Sequence, residues 1–152
     1  MKVLITTGTT PFKSLVNIAI SNFQSSHHIY VIQSPCLNNY TVLNGNIETH
    51  TFIENIEEHY QSADLVITHA GAGSVYRLLE LQKKVVVVPN VDRIDNHQLD
   101  LAAFIEKNNY AKVIYDVNML SDKLINDALN EQYNTFTKDN FFLIDEIFGE
   151  IL

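Results

Sequence analysis

A chain of 152 residues, 46% hydrophobic and 18% charged, is sized for one well-filled core and is too short for two ordinary domains. Its formal net charge of -8 argues against broad electrostatic capture of nucleic acid or anionic lipid, both of which demand clustered Lys and Arg, and leaves room only for local positive sites. No apolar run approaches the roughly 20 residues that cross a bilayer. The lone Cys36 lacks an internal disulfide partner and Met1-Lys2-Val3-Leu4-Ile5 runs directly into a strand-like pattern, so the expected compartment is the cytoplasm.

In chain order, residues 2–7 (KVLITT) read as a buried strand ending in the turn Gly8-Thr9-Thr10-Pro11, with Thr10 suited to cap a helix and Pro11 to its first turn. Phe12, Leu15, Val16, Ala19, Ile20 and Phe23 recur at spacings of three and four and form one apolar stripe facing a sheet. A second strand is expected at 28–33, a loop at 35–45 rich in Asn with Pro35 and Gly45, and a weaker strand at 47–53. A short helix at 55–62 precedes a fourth strand, Asp64-Leu65-Val66-Ile67-Thr68, which runs into His69-Ala70-Gly71-Ala72-Gly73-Ser74 and a helix that stops near Gln82. The uninterrupted apolar run 85–88 marks a central strand covered on both faces. A loop at 89–95, a helix at 96–107, a strand at 112–115 and a helix at 121–131 follow.

Strands alternating with helices imply right-handed crossovers and a Rossmann-like α/β fold, a mostly parallel, doubly wound sheet of about six strands with helices on both faces. The expected organisation is one domain, 1–152, with 133–152 an amphipathic helical tail: Phe141, Ile144, Phe148, Ile151 and Leu152 fall along one side and pack either on the same domain or on a partner.

Open parallel sheets bind ligands beyond the carboxyl ends of their strands, where three loops of this chain are expected: 7–10, 69–74 and 90–98. The middle one is the most informative. A glycine-rich turn entering a helix lets backbone approach an anion, and the uncapped N–H groups and helix dipole stabilise a diphosphate. Tight turns and capping account for the same residues individually, and His69 serves equally as a structural histidine or a ligand contact. The segment Gly71-Ala72-Gly73-Ser74-Val75-Tyr76 lacks the third glycine of the dinucleotide fingerprint and follows the fourth strand, which disfavours a nicotinamide-dependent oxidoreductase. No Asp-x-Asp, His-Glu-x-x-His or Cys/His cluster offers metal ligands at familiar spacing, and no nucleophile elbow or Walker loop occurs.

Three segments carry a resemblance: Thr6-Thr7-Gly8-Thr9-Thr10-Pro11-Phe12 with Leu15-Val16; Asp64 to Ser74; and Val87-Val88-Pro89-Asn90 followed by Asp95-Asn96-His97-Gln98-Leu99 and Leu101-Ala102. Over residues 1–115 the chain resembles the carboxy-terminal domain of glycosyltransferase family 28, and most closely its small stand-alone form, the donor-binding subunit of two-part UDP-N-acetylglucosamine transferases of lipid-linked oligosaccharide synthesis and their bacterial PssE-like relatives.

The resemblance implies one half of a GT-B fold, a donor-nucleotide-sugar-binding domain, and inverting transfer from a UDP-sugar with no metal and no other cofactor. It implies that Gly71, Ala72, Gly73 and Ser74, with His69, meet the diphosphate, that Asn96, His97 and Gln98 contact sugar or diphosphate, and that Gly8 and Thr9 border the cleft. Many relatives carry an acid three positions after the Ser/Thr of this loop, where this chain has Arg77, with an acid only at Glu80. It further implies a membrane-anchored acceptor-binding partner that holds the chain peripherally at the inner face of the membrane, and a polyprenyl-diphosphate-linked acceptor in surface polysaccharide biosynthesis. No general base is assigned in this chain. The alternative is a nonenzymatic nucleotide-sugar-binding or stabilising subunit of a glycosyltransferase complex.

Overall fold

The computed structural model describes residues 1–38, 40, 45–93 and 96–138. Six strands form one sheet: β1 (Lys2–Thr6), β2 (Ile29–Gln33), β3 (Ile47–His50), β4 (Leu65–His69), β5 (Lys84–Val88) and β6 (Lys112–Val113), in the order β3-β2-β1-β4-β5-β6. All five pairings among the described residues are parallel. Five helices connect or follow them: α1 (Lys13–Phe23), α2 (Ile56–Ser62), α3 (Ala72–Glu80), α4 (Asn96–Lys107) and α5 (Asp122–Asn130). The strand order reverses between β1 and β4, the topological switch at which ligands of doubly wound sheets bind.

Period-two alternation divides the strands between two cores. Val3, Ile5, Tyr30, Ile32, Leu65, Ile67, Val86 and Val88 face a layer made by α1 and α5, where Leu15, Val16, Phe23 and Ile125 lie buried. Leu4, Val31, Val66, Val85 and Val87 face the opposite layer, with Val75 and Leu78 of α3 and Ala102 and Ile105 of α4. The continuous apolar reading of β5 has its cause here, since alternate valines are enclosed on opposite faces.

Helix α1 starts later than the turn residues suggest. Thr10 does not cap it: its N–H donates to the Thr7 carbonyl (3.1 Å), Pro11 precedes the helix, and buried Phe12 occupies the N-cap with no side-chain capping bond. The missing acceptor comes from the loop after β5. Asp92 Oδ2 accepts from the Ser14 N–H (3.0 Å) and Oδ1 from the Ser14 hydroxyl.

Strand β6 is shorter than the 112–115 expected, and a 3-10 turn at Val117–Met119 follows it. Ser121 caps α5 by accepting from the Leu124 N–H (3.2 Å). The expectation of a helical tail from residue 133 fails over 133–138, which are irregular. Phe136 is buried against Tyr76 and Tyr110, with ring centroids 5.5 and 5.4 Å away, and Asn134 donates from its N–H to the Asn109 carbonyl (2.8 Å), anchors that hold the chain in an irregular path. The remaining tail residues, Phe141 to Leu152, lie outside the described residues, as does Asp95.

Candidate donor site

The buried polar side chains are distributed unevenly. Thr6, Thr7, Gln33, Ser34, Thr68, His69, Asn90 and Gln98 are all at least nine-tenths buried, and each lies at the carboxyl end of β1, β2, β4 or β5 or in the first turn of α4. Burying a polar group costs free energy unless it is hydrogen-bonded, and several of these bond to one another. The Thr6 hydroxyl donates to Gln33 Oε1 (2.6 Å) and accepts from the Gly8 N–H (3.1 Å), while Gln33 Nε2 donates to the Gly8 carbonyl (2.9 Å). The Thr7 hydroxyl donates to Ser34 Oγ (2.7 Å). One rim of the sheet is therefore polar inside, and the rest of the core is apolar.

His69 sits at the centre of this rim. A Cβ added to Gly71 would lie 2.3 Å from its Nε2, and one added to Gly8, whose φ is +58°, would lie 3.1 Å from its Cε1. Both glycines thus vacate space for one imidazole, a role that the sequence pattern does not reveal. Burial holds His69 below the ordinary imidazole pKa, an effect that the Thr6 backbone partly opposes, so the ring is neutral at neutral pH. No hydrogen bond of full geometry reaches its buried Nδ1.

Gly71 is the N-cap of α3, with extended backbone and no side-chain capping bond. An N-terminal turn cannot satisfy its own first N–H groups. Those of Ala72, Gly73 and Ser74 meet no capping side chain, and a Cβ built on Gly73 finds nothing within 4 Å. This helix start is open. Two hollows flank it: one of about 620 Å³ lined by Thr10, His69, Gly71, Ala72, His97 and Gln98, with Tyr76, Leu101 and Phe104 as its apolar wall, and one of about 170 Å³ lined by Gly8, Thr9, Gln33 and Ser74, closed by Phe52, Ile56 and Tyr60.

The three loops therefore meet at one edge. Of the residues expected to bind the donor, His69, Gly71, Ala72, His97 and Gln98 share the larger hollow, and Gly8, Thr9 and Ser74 share the smaller. Gly73 stands between them in open space, and exposed Asn96, first residue of α4, is in neither lining. Gln98 has a structural duty beside any ligand contact, because its Oε1 accepts from the Asn90 N–H (3.0 Å). Asn90 itself donates from Nδ2 to the Pro11 carbonyl (3.0 Å) and accepts at Oδ1 from the Asp92 N–H (3.0 Å), tying the first loop to the third. Asn90, Tyr76 and Phe104 were not among the residues expected to contact the donor. Polarity at a strand end signals Asn90, whereas Tyr76 and Phe104 read as ordinary helix stripe. Arg77 and Glu80 line neither hollow: Arg77 bonds Glu57 and lies 3.5 Å from Glu80, which Lys138 also approaches at 3.4 Å.

An open helix start over a glycine turn, at the switch point of a 3-2-1-4-5-6 sheet, defines a Rossmann-like domain, in which this edge is where ligands of such sheets bind. The family model for the glycosyltransferase family 28 C-terminal domain matches residues 2–139, and the chain belongs to that family. It is 31% identical over 106 residues to a UDP-N-acetylglucosamine transferase subunit ALG13 of Candida albicans, covering 68% of this chain and 36% of that protein. It is 32% identical over 126 residues to a UDP-N-acetylglucosamine--N-acetylmuramyl-(pentapeptide) pyrophosphoryl-undecaprenol N-acetylglucosamine transferase of Thermosipho melanesiensis, covering 80% and 38%. The chain thus spans little more than a third of these two relatives. A solution NMR structure of ALG13 superposes with a TM-score of 0.61 at 20% identity, covering 90% of this chain and 89% of that one. The fold is Rossmann-like and is shared with GT-B glycosyltransferases.

Proposed function

We propose that the chain is the donor-binding catalytic subunit of a two-component inverting glycosyltransferase, active with a membrane-anchored acceptor-binding subunit that keeps it peripherally at the inner face of the membrane. It moves a sugar from a UDP-sugar to a polyprenyl-diphosphate-linked acceptor in surface polysaccharide biosynthesis. The observation that carries this reading is the open first turn of α3, set between two hollows whose linings hold eight of the ten expected donor contacts. The Candida relative, itself called a transferase subunit, supports the two-component reading.

In this mechanism the acceptor hydroxyl attacks the anomeric carbon of the donor sugar and UDP departs from the opposite side. The negative charge growing on the diphosphate is met by the N–H groups of Ala72, Gly73 and Ser74, which are already oriented before the reaction. Neutral His69 adds bulk and polarity beside the diphosphate without a charge of its own. The proton of the acceptor hydroxyl passes to a general base that is not assigned to a residue of this chain.

Gly73→Asp tests the assignment cleanly. The added side chain meets open space, and a carboxylate in the first turn favours the helix, so the fold should stand. The same carboxylate confronts the diphosphate. UDP-sugar turnover by the reconstituted pair should fall by about a hundredfold or more with the melting temperature unchanged or raised. Undiminished turnover would defeat the proposal, and turnover by the partner alone would reassign this chain as a nonenzymatic stabilising subunit.

A further inference from the structure

The chain has ten basic side chains against eighteen acidic ones, and most of the ten are visibly occupied. Lys2 donates to Ser62, Lys83 and Lys84 to backbone carbonyls, and Arg77, Lys112, Lys123 and Lys138 pair with carboxylates. Lys13, Arg93 and Lys107 have no hydrogen-bond or ion-pair partner among the described residues. Lys107 stands in the last turn of α4, where the helix dipole favours a cation. The other two lack such a reason. Lys13 is the first residue of α1, where the dipole disfavours positive charge, and the carboxylate nearest in sequence to Arg93, Asp92, is committed to Ser14.

These two cations, 80 residues apart in sequence, line the same hollow of about 320 Å³ with Pro11 and Asp92. The hollow is held open by the bonds that hold the donor rim: Asn90 to Pro11 and Asp92 to Ser14. It lies just across the first loop from the donor hollow, since Thr10 lines one and Pro11 the other. Lys13 stands three positions after Thr10, at most about 11 Å along the chain.

We infer that Lys13 and Arg93 form a second anion site, separate from the donor hollow, which takes the phosphate groups of a lipid at the membrane face. The inference rests on the donor reading for its purpose, because a lipid phosphate held there places an attached sugar beside the donor. The same chemistry comes from two sources, the diphosphate of a lipid-linked acceptor or the headgroup of an anionic phospholipid. Arginine and lysine suit both: the guanidinium grips two phosphate oxygens at once and the ammonium acts as a point charge.

The test uses the full chain, saturated with UDP so that the donor hollow is filled, and vesicles of phosphatidylcholine doped with either a polyprenyl diphosphate or phosphatidylglycerol. Flotation with the doped vesicles should exceed that with pure phosphatidylcholine, and Lys13→Ser/Arg93→Ser should weaken it about tenfold or more. Lys107→Glu changes the net charge by the same amount as that double variant and should leave flotation intact. Lys13→Arg/Arg93→Lys should restore it. Preference for the polyprenyl diphosphate, with displacement by inorganic pyrophosphate, identifies the acceptor as the source, and equal binding to phosphatidylglycerol identifies the headgroup. Flotation indifferent to Lys13 and Arg93, or lost equally in Lys107→Glu, overturns the site. UDP titration of the double variant keeps the two readings apart, because it should match the unaltered chain whether or not the lipid-phosphate site exists.

Discussion

At the scale of single residues, the two glycines of the 69–74 loop do different work although they look alike in the sequence. Gly71 is required by its neighbour: a methyl group there would collide with the His69 ring 2.3 Å away, which has to shift out of a buried position. Gly73 meets no such obstacle. Gly71→Ala should therefore lower stability by about 1–3 kcal/mol and weaken UDP binding with it, whereas Gly73→Ala should raise stability by about 0.5–1 kcal/mol, since glycine inside a helix is entropically costly. Chemical denaturation of both variants checks the contrast, and equal effects would contradict the geometry. That these glycines open a turn at the sheet edge was legible from their place between strand and helix. Which of them makes room for a side chain was not, because the His69 ring also touches the space above Gly8, 61 residues away in sequence and adjacent only after folding. The same holds for Arg77, whose carboxylate partner Glu57 comes from α2.

At the scale of elements, hydrophobic periodicity located the six strands and five helices of the described residues, and α4 begins and ends where its pattern does. Local patterning serves well where burial is the cause. It failed at the start of α1, whose acceptor arrives from Asp92, 78 residues downstream, and over 133–138, where Phe136 is recruited by Tyr76 and Tyr110. Both are long-range contacts that leave no periodic trace. The Asp92 contact acts as an N-cap supplied by another loop, and Asp92→Ala should cost about 0.5–2 kcal/mol, seen as a drop of a few degrees in melting temperature. A still larger loss of UDP affinity is not expected, because Asp92 lines the neighbouring hollow and not the hollow proposed for the donor. A melting temperature equal to that of the unaltered chain would mean that α1 needs no such acceptor.

At the scale of the whole molecule, the two layers are closed by different parts of the chain: α5 completes one face of the sheet, and the segment after it contributes Phe136 to the other. Lys112, salt-bridged to Glu131 at 2.7 Å, secures the passage between them. Phe136→Ala should consequently destabilise the domain by about 3–5 kcal/mol, measured by urea unfolding, and a loss under 1 kcal/mol would show that this segment merely rests on the surface. The lacing through Asn90 has a consequence of another kind. Its bonds to Pro11, Gln98 and Asp92, with Asp92 in turn gripping Ser14, leave little freedom for any one of these residues to move by itself. A tug on Gln98 is relayed to the start of α1, so Pro11, Ser14, Asn90, Asp92 and Gln98 travel together, and if a UDP-sugar sits at this edge, as proposed, whatever closes over it has to swing in from outside these residues.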